Sequence, residues 1–396
     1  MIKISNIVFS LLIICLMTTS CSNADKTGDF TLIMSGSMHG QLDPCGWKKN
    51  PLGGLSRKSV KIKEMIADGE DPLILDAGDL FFSTKKIDVK NKTSEIFRAK
   101  AILEGYQKVG CNAINVGHYE VLNGLSFLKS MAEETSIPFI SSNLRDSKSG
   151  ELIFSPYMVF QRGNLKIGVV GSSDLIPDTT TAILVDDFVE SCNRYAEELD
   201  GKVDIVVALV NASRTSQTGL PEKMPNVDLI ITSGNTSMSR SNSPQKEDGP
   251  FMYSCGKQGK YLMSLSLGLK EKDVPFIDIS AQEKKVKSIQ KRFDRLQKKD
   301  PEKSLESIYA DQENVLNLIK KYREDLRISE GVIESAVNTL RFEATPLSKK
   351  VDDDEDILAF VTSSVKTCNA LAPKKKPVDR KKIGKNNSHS HKGHDH

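Results

Sequence analysis

The stretch Leu73-Ile74-Leu75-Asp76-Ala77-Gly78-Asp79-Leu80-Phe81 decides the fold. A short apolar run ends in an aspartate, a glycine and a second aspartate, so a buried strand is followed by a tip able to carry chemistry. The same design recurs on both sides. Residues 30–34 run into Ser35-Gly36-Ser37-Met38-His39-Gly40, and residues 113–116 into Gly117-His118-Tyr119-Glu120. Further strands are expected at 139–142, 166–171, 204–210 and 229–233. Helical patterns at 55–67, 94–109 and 125–135 lie between several of them. Strands alternating with helices predict an α/β sheet packed on both faces. Strands buried on both faces are apolar throughout, as 205–210 is. Residues 249–269 read as a hairpin-like pair closing a domain that spans 30–281.

The two ends of the chain are of another kind. Lys3, an apolar run at 7–17 and Thr18-Thr19-Ser20-Cys21 describe an export signal. The run falls short of the roughly 20 apolar residues that span a bilayer. Small residues before Cys21 and a polar stretch after it predict a lipoprotein: signal peptide 1–21, lipidated Cys21, tether 22–29 and anchorage in the cell envelope. Ordinary secretion, with Cys21 a free thiol, is the alternative. The net charge of +3 excludes little, because eight basic residues crowd residues 373–392. No basic stripe with interleaved aromatics occurs elsewhere, so nucleic acid is not an expected partner. Cys45, Cys111, Cys192, Cys255 and Cys368 contain no Cys-x-x-Cys spacing and form no disulfide framework or structural zinc pattern.

From Gln282 the period changes. Val286, Ile289, Phe293 and Leu296 fall on one helical face, and Asp300-Pro301 fits a helix start. Residues 282–345 are read as a helical arm that offers a surface to another protein. Residues 346–372 follow as an acidic segment, Asp352–Asp356, with a short helix, and 373–396 as a disordered Lys/His-rich tail. His389, His391, His394 and His396 give that tail a weak affinity for transition metals.

Taken in order, these segments resemble the calcineurin-like metallophosphoesterases, and within them the periplasmic 5′-nucleotidases. Ser37-Met38-His39-Gly40 stands where that family has Asp-x-His-Gly, Asp76-Ala77-Gly78-Asp79 matches Asp-x-Gly-Asp, and Gly117-His118-Tyr119-Glu120 stands for Gly-Asn-His-Glu. Ser141-Ser142-Asn143 is similar to the family's Ser-Ala-Asn, while Asn211, Asn235 and Ser237 take the places of three later histidines. Gly40-Gln41-Leu42-Asp43-Pro44-Cys45-Gly46-Trp47 resembles a Pro-Cys-Gly-Cys motif of one exported subgroup, with Trp47 replacing the second cysteine.

The resemblance implies a four-layer α/β/β/α sandwich, here with a C-terminal helical extension, and a site at the strand tips. It also implies two divalent metals that clamp the attacking and leaving oxygens of a phosphoester. Of the implied ligands only His39 and Asp79 are retained; His118 replaces an asparagine and Tyr119 the catalytic histidine. The candidate metal ligands are therefore His39, Asp79, His118, Asn211, Asn235 and Cys45, for zinc, manganese or iron, with His118 and Tyr119 as candidate catalytic groups. The expected function is a 5′-nucleotidase-like envelope lipoprotein with a degenerate metal centre, without standard dinuclear activity, taking a phosphorylated small molecule. The alternatives are a mononuclear hydrolase using His39, Asp79, His118 and Cys45, a non-enzymatic binding or scaffold lipoprotein, and thiol chemistry at Cys45 with Cys255.

Overall fold

The computed structural model describes residues 27–373, apart from 48, 178–180, 243–244, 246–248 and 273. The expected signal peptide 1–21 with Cys21, most of the tether and the tail beyond Pro373 lie outside the described residues. The chain opens with β1 (Gly28–Ser35), α1 (Leu55–Ala67), β2 (Leu73–Asp76), α2 (Lys92–Lys108), β3 (Ala113–Asn115), α3 (His118–Val121), α4 (Leu125–Glu133) and β4 (Phe139–Ile140). It continues through β5 (Leu144–Asp146), β6 (Tyr157–Arg162), β7 (Leu165–Ser173), β8 (Ile183–Val185), α5 (Phe188–Leu199), β9 (Ile205–Asn211), α6 (Leu220–Lys223) and β10 (Leu229–Ser233). It ends with β11 (Phe251–Ser254), β12 (Tyr261–Leu269), β13 (Phe276–Asp278), α7 (Ser280–Gln297), α8 (Leu305–Ile308), α9 (Glu313–Ser335), β14 (Asn338–Pro346) and α10 (Glu355–Leu371).

Two large sheets stack face to face. One has the order β13-β14-β12-β1-β2-β3-β4, the other β11-β10-β9-β7-β6, and β5 pairs with β8 in a small ribbon. Side chains alternate across a strand, so each strand feeds two cores. Leu32 and Met34 enter the core between the sheets while Ile33 faces the helices; Leu73 and Leu75 divide from Ile74 in the same way. In the second sheet Val207 and Leu209 point inward, and Val206, Ala208 and Val210 meet α5 and α6. Three cores between four layers make the α/β/β/α sandwich. Each leucine fully buried here contributes about 1.5–3 kcal/mol.

Residues 249–269 do not form a hairpin. β11 lies parallel to β10 in the second sheet, whereas β12 lies antiparallel to β1 in the first. Phe251 and Tyr253 of β11 share the inter-sheet core with Leu265 and Leu267 of β12. Apolar alternation reports burial, and burial between two sheets looks the same from either one. β1 also starts at Gly28, so the last two residues of the expected tether are strand.

The helical arm is shorter than the sequence implies. α7 and α9 pair through Phe293 and Tyr322, whose rings meet edge to face at 6.0 Å. Helix ends at Ser335, and residues 338–346 form β14, inside the first sheet between β12 and β13. Leu340 and Phe342 enter the inter-sheet core while Arg341 and Glu343 do not, a period of two too brief to stand out after a long helical stripe. The arm is thus an excursion between two strands. Asp300-Pro301 starts no helix: Gln297 donates to the carbonyls of Asp300 and Lys303, both at 2.8 Å, and α8 begins instead behind Ser304.

The acidic run is a clasp. Asp353 accepts from the Ser56 hydroxyl at 2.5 Å, and Asp354 from the Ser59 hydroxyl at 2.6 Å. Asp354 also meets Lys63 at 2.6 Å and caps α10 through the Ile357 N–H. α10 is thereby fastened to α1, and Ile357 and Val361 join the helix-facing core.

Candidate functional site

β1, β2 and β3 run parallel in one sheet, as do β9 and β10 in the other. Their C-terminal tips meet at one end of the sandwich, the place where ligands bind in open α/β sheets. Three non-glycine residues at these tips adopt left-handed backbone: Ser37 (φ 50°), His39 (φ 52°) and Asp79 (φ 64°). Such conformations persist only where neighbours over-determine them. Here the tips of β1 and β2 brace each other: Ser37 N–H donates to Gly78 O at 2.8 Å, His39 N–H to Asp79 O at 2.9 Å, and Gly40 N–H to Leu80 O at 2.7 Å. Below them the buried Asp76 accepts from the Ser35 hydroxyl at 2.7 Å and from Gly78 N–H at 2.9 Å.

A closed circuit of hydrogen bonds joins the sheets. The Asn211 side chain accepts from His118 N–H at 3.2 Å and donates to the Ser233 hydroxyl at 2.7 Å, which donates to Ala77 O at 2.7 Å. Asn211 also hydrogen-bonds the Asp79 carboxylate, which accepts Tyr119 N–H at 3.2 Å. Gly117 permits this closeness, since a Cβ there would stand 2.7 Å from Asn211 Cγ. Glu120, fully buried, accepts from Asp79 N–H at 2.9 Å, Leu80 N–H at 2.6 Å and Gly117 N–H at 2.8 Å. Burial, then the Asp79 charge, pushes the Glu120 carboxyl upward, and the backbone donors from Asp79 and Leu80 pull against it. Burial likewise raises Asp79, opposed by Asn211 and Tyr119 N–H.

His39 packs its ring 4.4 Å from that of Tyr119. Burial, followed by Lys257 and Lys85, lowers its pKa to about 4. His118 is lowered too, first by burial and then by Lys85. Both imidazoles are neutral at pH 7, under a rim of lysine charge that favours an anion. Burial raises Tyr119 to about 12, so it is no base near neutrality.

The structure thus brings together His39, Asp79, His118, Tyr119 and Asn211. Asn235 stands apart in function: its Oδ1 accepts Ser237 N–H at 2.7 Å and shapes its own turn. Cys45 sits on a loop, its thiol 3.6 Å from Gln258 Oε1, and burial pushes that thiol up despite Lys260 nearby. All five described cysteines are free, so Cys45 and Cys255 form no disulfide.

The donors present do not fit the metal centre that the resemblance implies. The oxygen of Asn211 and that of Asn235 each accept a backbone N–H group, Ser37 accepts from Gly234 N–H at 3.0 Å, and the buried Nδ1 of His39 lacks a partner among the described residues. Among the described residues no three or more His, Cys, Asp or Glu are grouped to hold a metal ion. Glu120, Ser233, Lys85 and Lys257 were not singled out from sequence. Glu120 follows the quoted His118-Tyr119 and was legible there; the lysines lie in loops with no pattern to mark them.

The fold is similar to that of calcineurin-like phosphoesterases. The Bacillus subtilis calcineurin-like phosphoesterase YfkN superposes with a TM-score of 0.58 at 14% identity, over 87% of this chain and 99% of that one. The 5′-nucleotidase precursor of Thermus thermophilus gives 0.61 at 16% identity, over 87% and 59%. In sequence, the chain is 29% identical over 154 residues to a Vibrio parahaemolyticus 5′-nucleotidase, covering 38% of this chain and 26% of that protein. It is 29% identical over 165 residues to protein UshA of Escherichia coli, covering 40% and 27%. The matches thus span about a quarter of the length of these curated relatives. No family model matches. In sequence the chain is thus similar to 5′-nucleotidases over part of its length, and in fold to calcineurin-like phosphoesterases.

Proposed function

We propose that the protein is an exported envelope protein that binds a phosphorylated small molecule at the strand tips without hydrolysing it by two-metal chemistry. The observation that carries this reading is the Asn211 circuit: the amide is engaged by His118 N–H, Ser233 and Asp79, where the resemblance implies a metal-ligating histidine. What remains suits recognition. Two half-buried neutral imidazoles lie at the strand tips, and Lys85 and Lys257 supply positive charge near them. The relatives named 5′-nucleotidase support phosphate monoesters as the ligand class.

Anchorage through Cys21 and a protein partner for α7 and α9 belong to the same proposal. The support for the anchor is the sequence around Cys21; no helix among the described residues is long and apolar enough to cross a membrane. A mononuclear hydrolase built on His39, Asp79, His118 and Cys45 has one support, the unpartnered Nδ1 of His39, and is opposed by the Cys45 contact with Gln258.

Calorimetric titration with inorganic phosphate and a panel of phosphate monoesters, run beside hydrolysis assays with added manganese, zinc or calcium, tests the proposal. Binding without turnover is the expected result. Metal-dependent turnover abolished by His118→Ala, or no binding at all, overturns it.

A further inference from the structure

After β13 the chain leaves the first sheet along α7, whose charges are sorted by face. Lys284, Lys287 and Lys291 stand at i, i+3 and i+7, so they line one side of the helix. Arg295 and Lys298 continue the stripe, and all five are exposed. The acids of α7 are engaged elsewhere: Glu283 pairs with Arg341 at 2.8 Å, and Asp294 accepts from Gln290 at 3.0 Å. Phe293, on the opposite face, meets Tyr322 of α9. Lys284, Lys287 and Lys291 form no ion pair among the described residues.

The three lysines line a groove of about 830 Å³, together with Asn242 from the segment after β10 and Tyr322 and Asp325 of α9. Asp325 is already paired with Lys285 at 2.9 Å, so the groove keeps its positive charge. Lys284 and Asn242 also line a second cavity, of about 410 Å³, with Arg240 and Ser241. Ser241 is only 3% exposed, and its hydroxyl has no hydrogen-bond partner among the described residues. A buried hydroxyl left unpaired costs free energy that an incoming acceptor recovers.

Regularly spaced negative charge fits this surface. Carboxylates on one side of an extended peptide recur about every 7 Å, and Lys287 and Lys291 lie about 6 Å apart along the helix axis. A flat bilayer does not follow a concave groove, and a compact anion leaves most of the stripe unpaired. We propose that the groove along α7 docks an extended acidic segment of a partner protein, its carboxylates on Lys284, Lys287 and Lys291 and one acceptor on the Ser241 hydroxyl. The inference rests on the reading above that α7 and α9 meet a protein partner, and names the face and the chemistry of that contact.

A fluorescein-labelled deca-glutamate peptide is titrated against the full chain by anisotropy, beside deca-glutamine and phosphatidylglycerol vesicles. Saturable deca-glutamate binding that weakens as salt rises, with deca-glutamine and vesicles inert, is expected. Lys287→Glu combined with Lys291→Glu, both exposed positions, weakens it about tenfold and leaves the denaturation midpoint unchanged. Carbodiimide, which joins carboxylates to the lysines they touch, couples the peptide to Lys284, Lys287 or Lys291. Coupling confined to the lysines of residues 374–392, or affinity unaffected by the double reversal, overturns the docking groove and leaves a protein partner for the arm standing. Vesicles that bind the wild type and not the double variant overturn both, and put α7 on a lipid surface.

Discussion

The side-chain oxygen of Asn211 accepts the backbone N–H of His118 at 3.2 Å, linking the second sheet to the tip of the first. Both atoms belong to positions where the resemblance implies metal ligands, and here they serve each other. Asn211→Ala leaves His118 N–H and the Ser233 hydroxyl without that partner in a buried setting, at a cost of about 1–3 kcal/mol. Asn211→His adds volume against Gly117, where a Cβ would already lie 2.7 Å from Asn211 Cγ, and also destabilises. Urea unfolding measures both. An Asn211→Ala protein as stable as the wild type contradicts the bridging role.

Metal content follows from the engaged donors. Protein in which His389, His391, His394 and His396 are replaced by alanine is expected to hold zinc, manganese and iron far below one atom per chain. Elemental analysis checks this. A full equivalent that disappears in His118→Ala restores the mononuclear reading.

Glu120 organises the loop that carries His118 and Tyr119. Glu120→Ala strands three buried N–H donors, from Asp79, Leu80 and Gly117, and should cost roughly 3 kcal/mol or more. Glu120→Gln keeps an acceptor and removes the repulsion with Asp79, so it should cost less. Denaturation midpoints decide, and equal losses for the two variants count against a hydrogen-bonding role.

The clasp between α1 and α10 has a defined acid limit. Burial works to raise Asp354, but Lys63, Ser59 and the Ile357 N–H outweigh it and hold the carboxyl at about 2. A carboxyl lower in the folded than in the unfolded state stabilises above its unfolded value of about 3.9, and the effect fades as pH falls through the folded value. The charge-dependent part of the stability gap between wild type and Asp354→Asn should be full at neutral pH, shrink below about pH 4 and be lost only below about pH 2. Denaturant titrations across that range measure it; a gap independent of pH means the carboxylate charge is irrelevant.

Some of this was legible before any coordinates. The strand at 73–76 and the helix at 55–67 fall where the apolar patterns put them, because a period of two or of 3.6 reports how one element meets its neighbours. His39, Asp79, His118 and Tyr119 converge because each follows a parallel strand, and parallel strands in one sheet bring their tips together. β14 escaped notice for the converse reason: Leu340 and Phe342 gain their partners from β12 and β13, far away in sequence.

The sequence by itself determined the alternation of buried strands and helices and the residue types at the strand tips, since both are local properties of the chain. Only the tertiary structure decided which sheet each strand joins, that Asp353 and Asp354 clasp α1, and that the oxygen of Asn211 is occupied by His118 N–H. Those outcomes rest on contacts between segments distant in the chain. The Asp79-Leu80 stretch quoted at the outset shows the division. Its sequence announces a functional strand tip, while its partners Glu120, Asn211 and Tyr119 determine what that tip has left to offer.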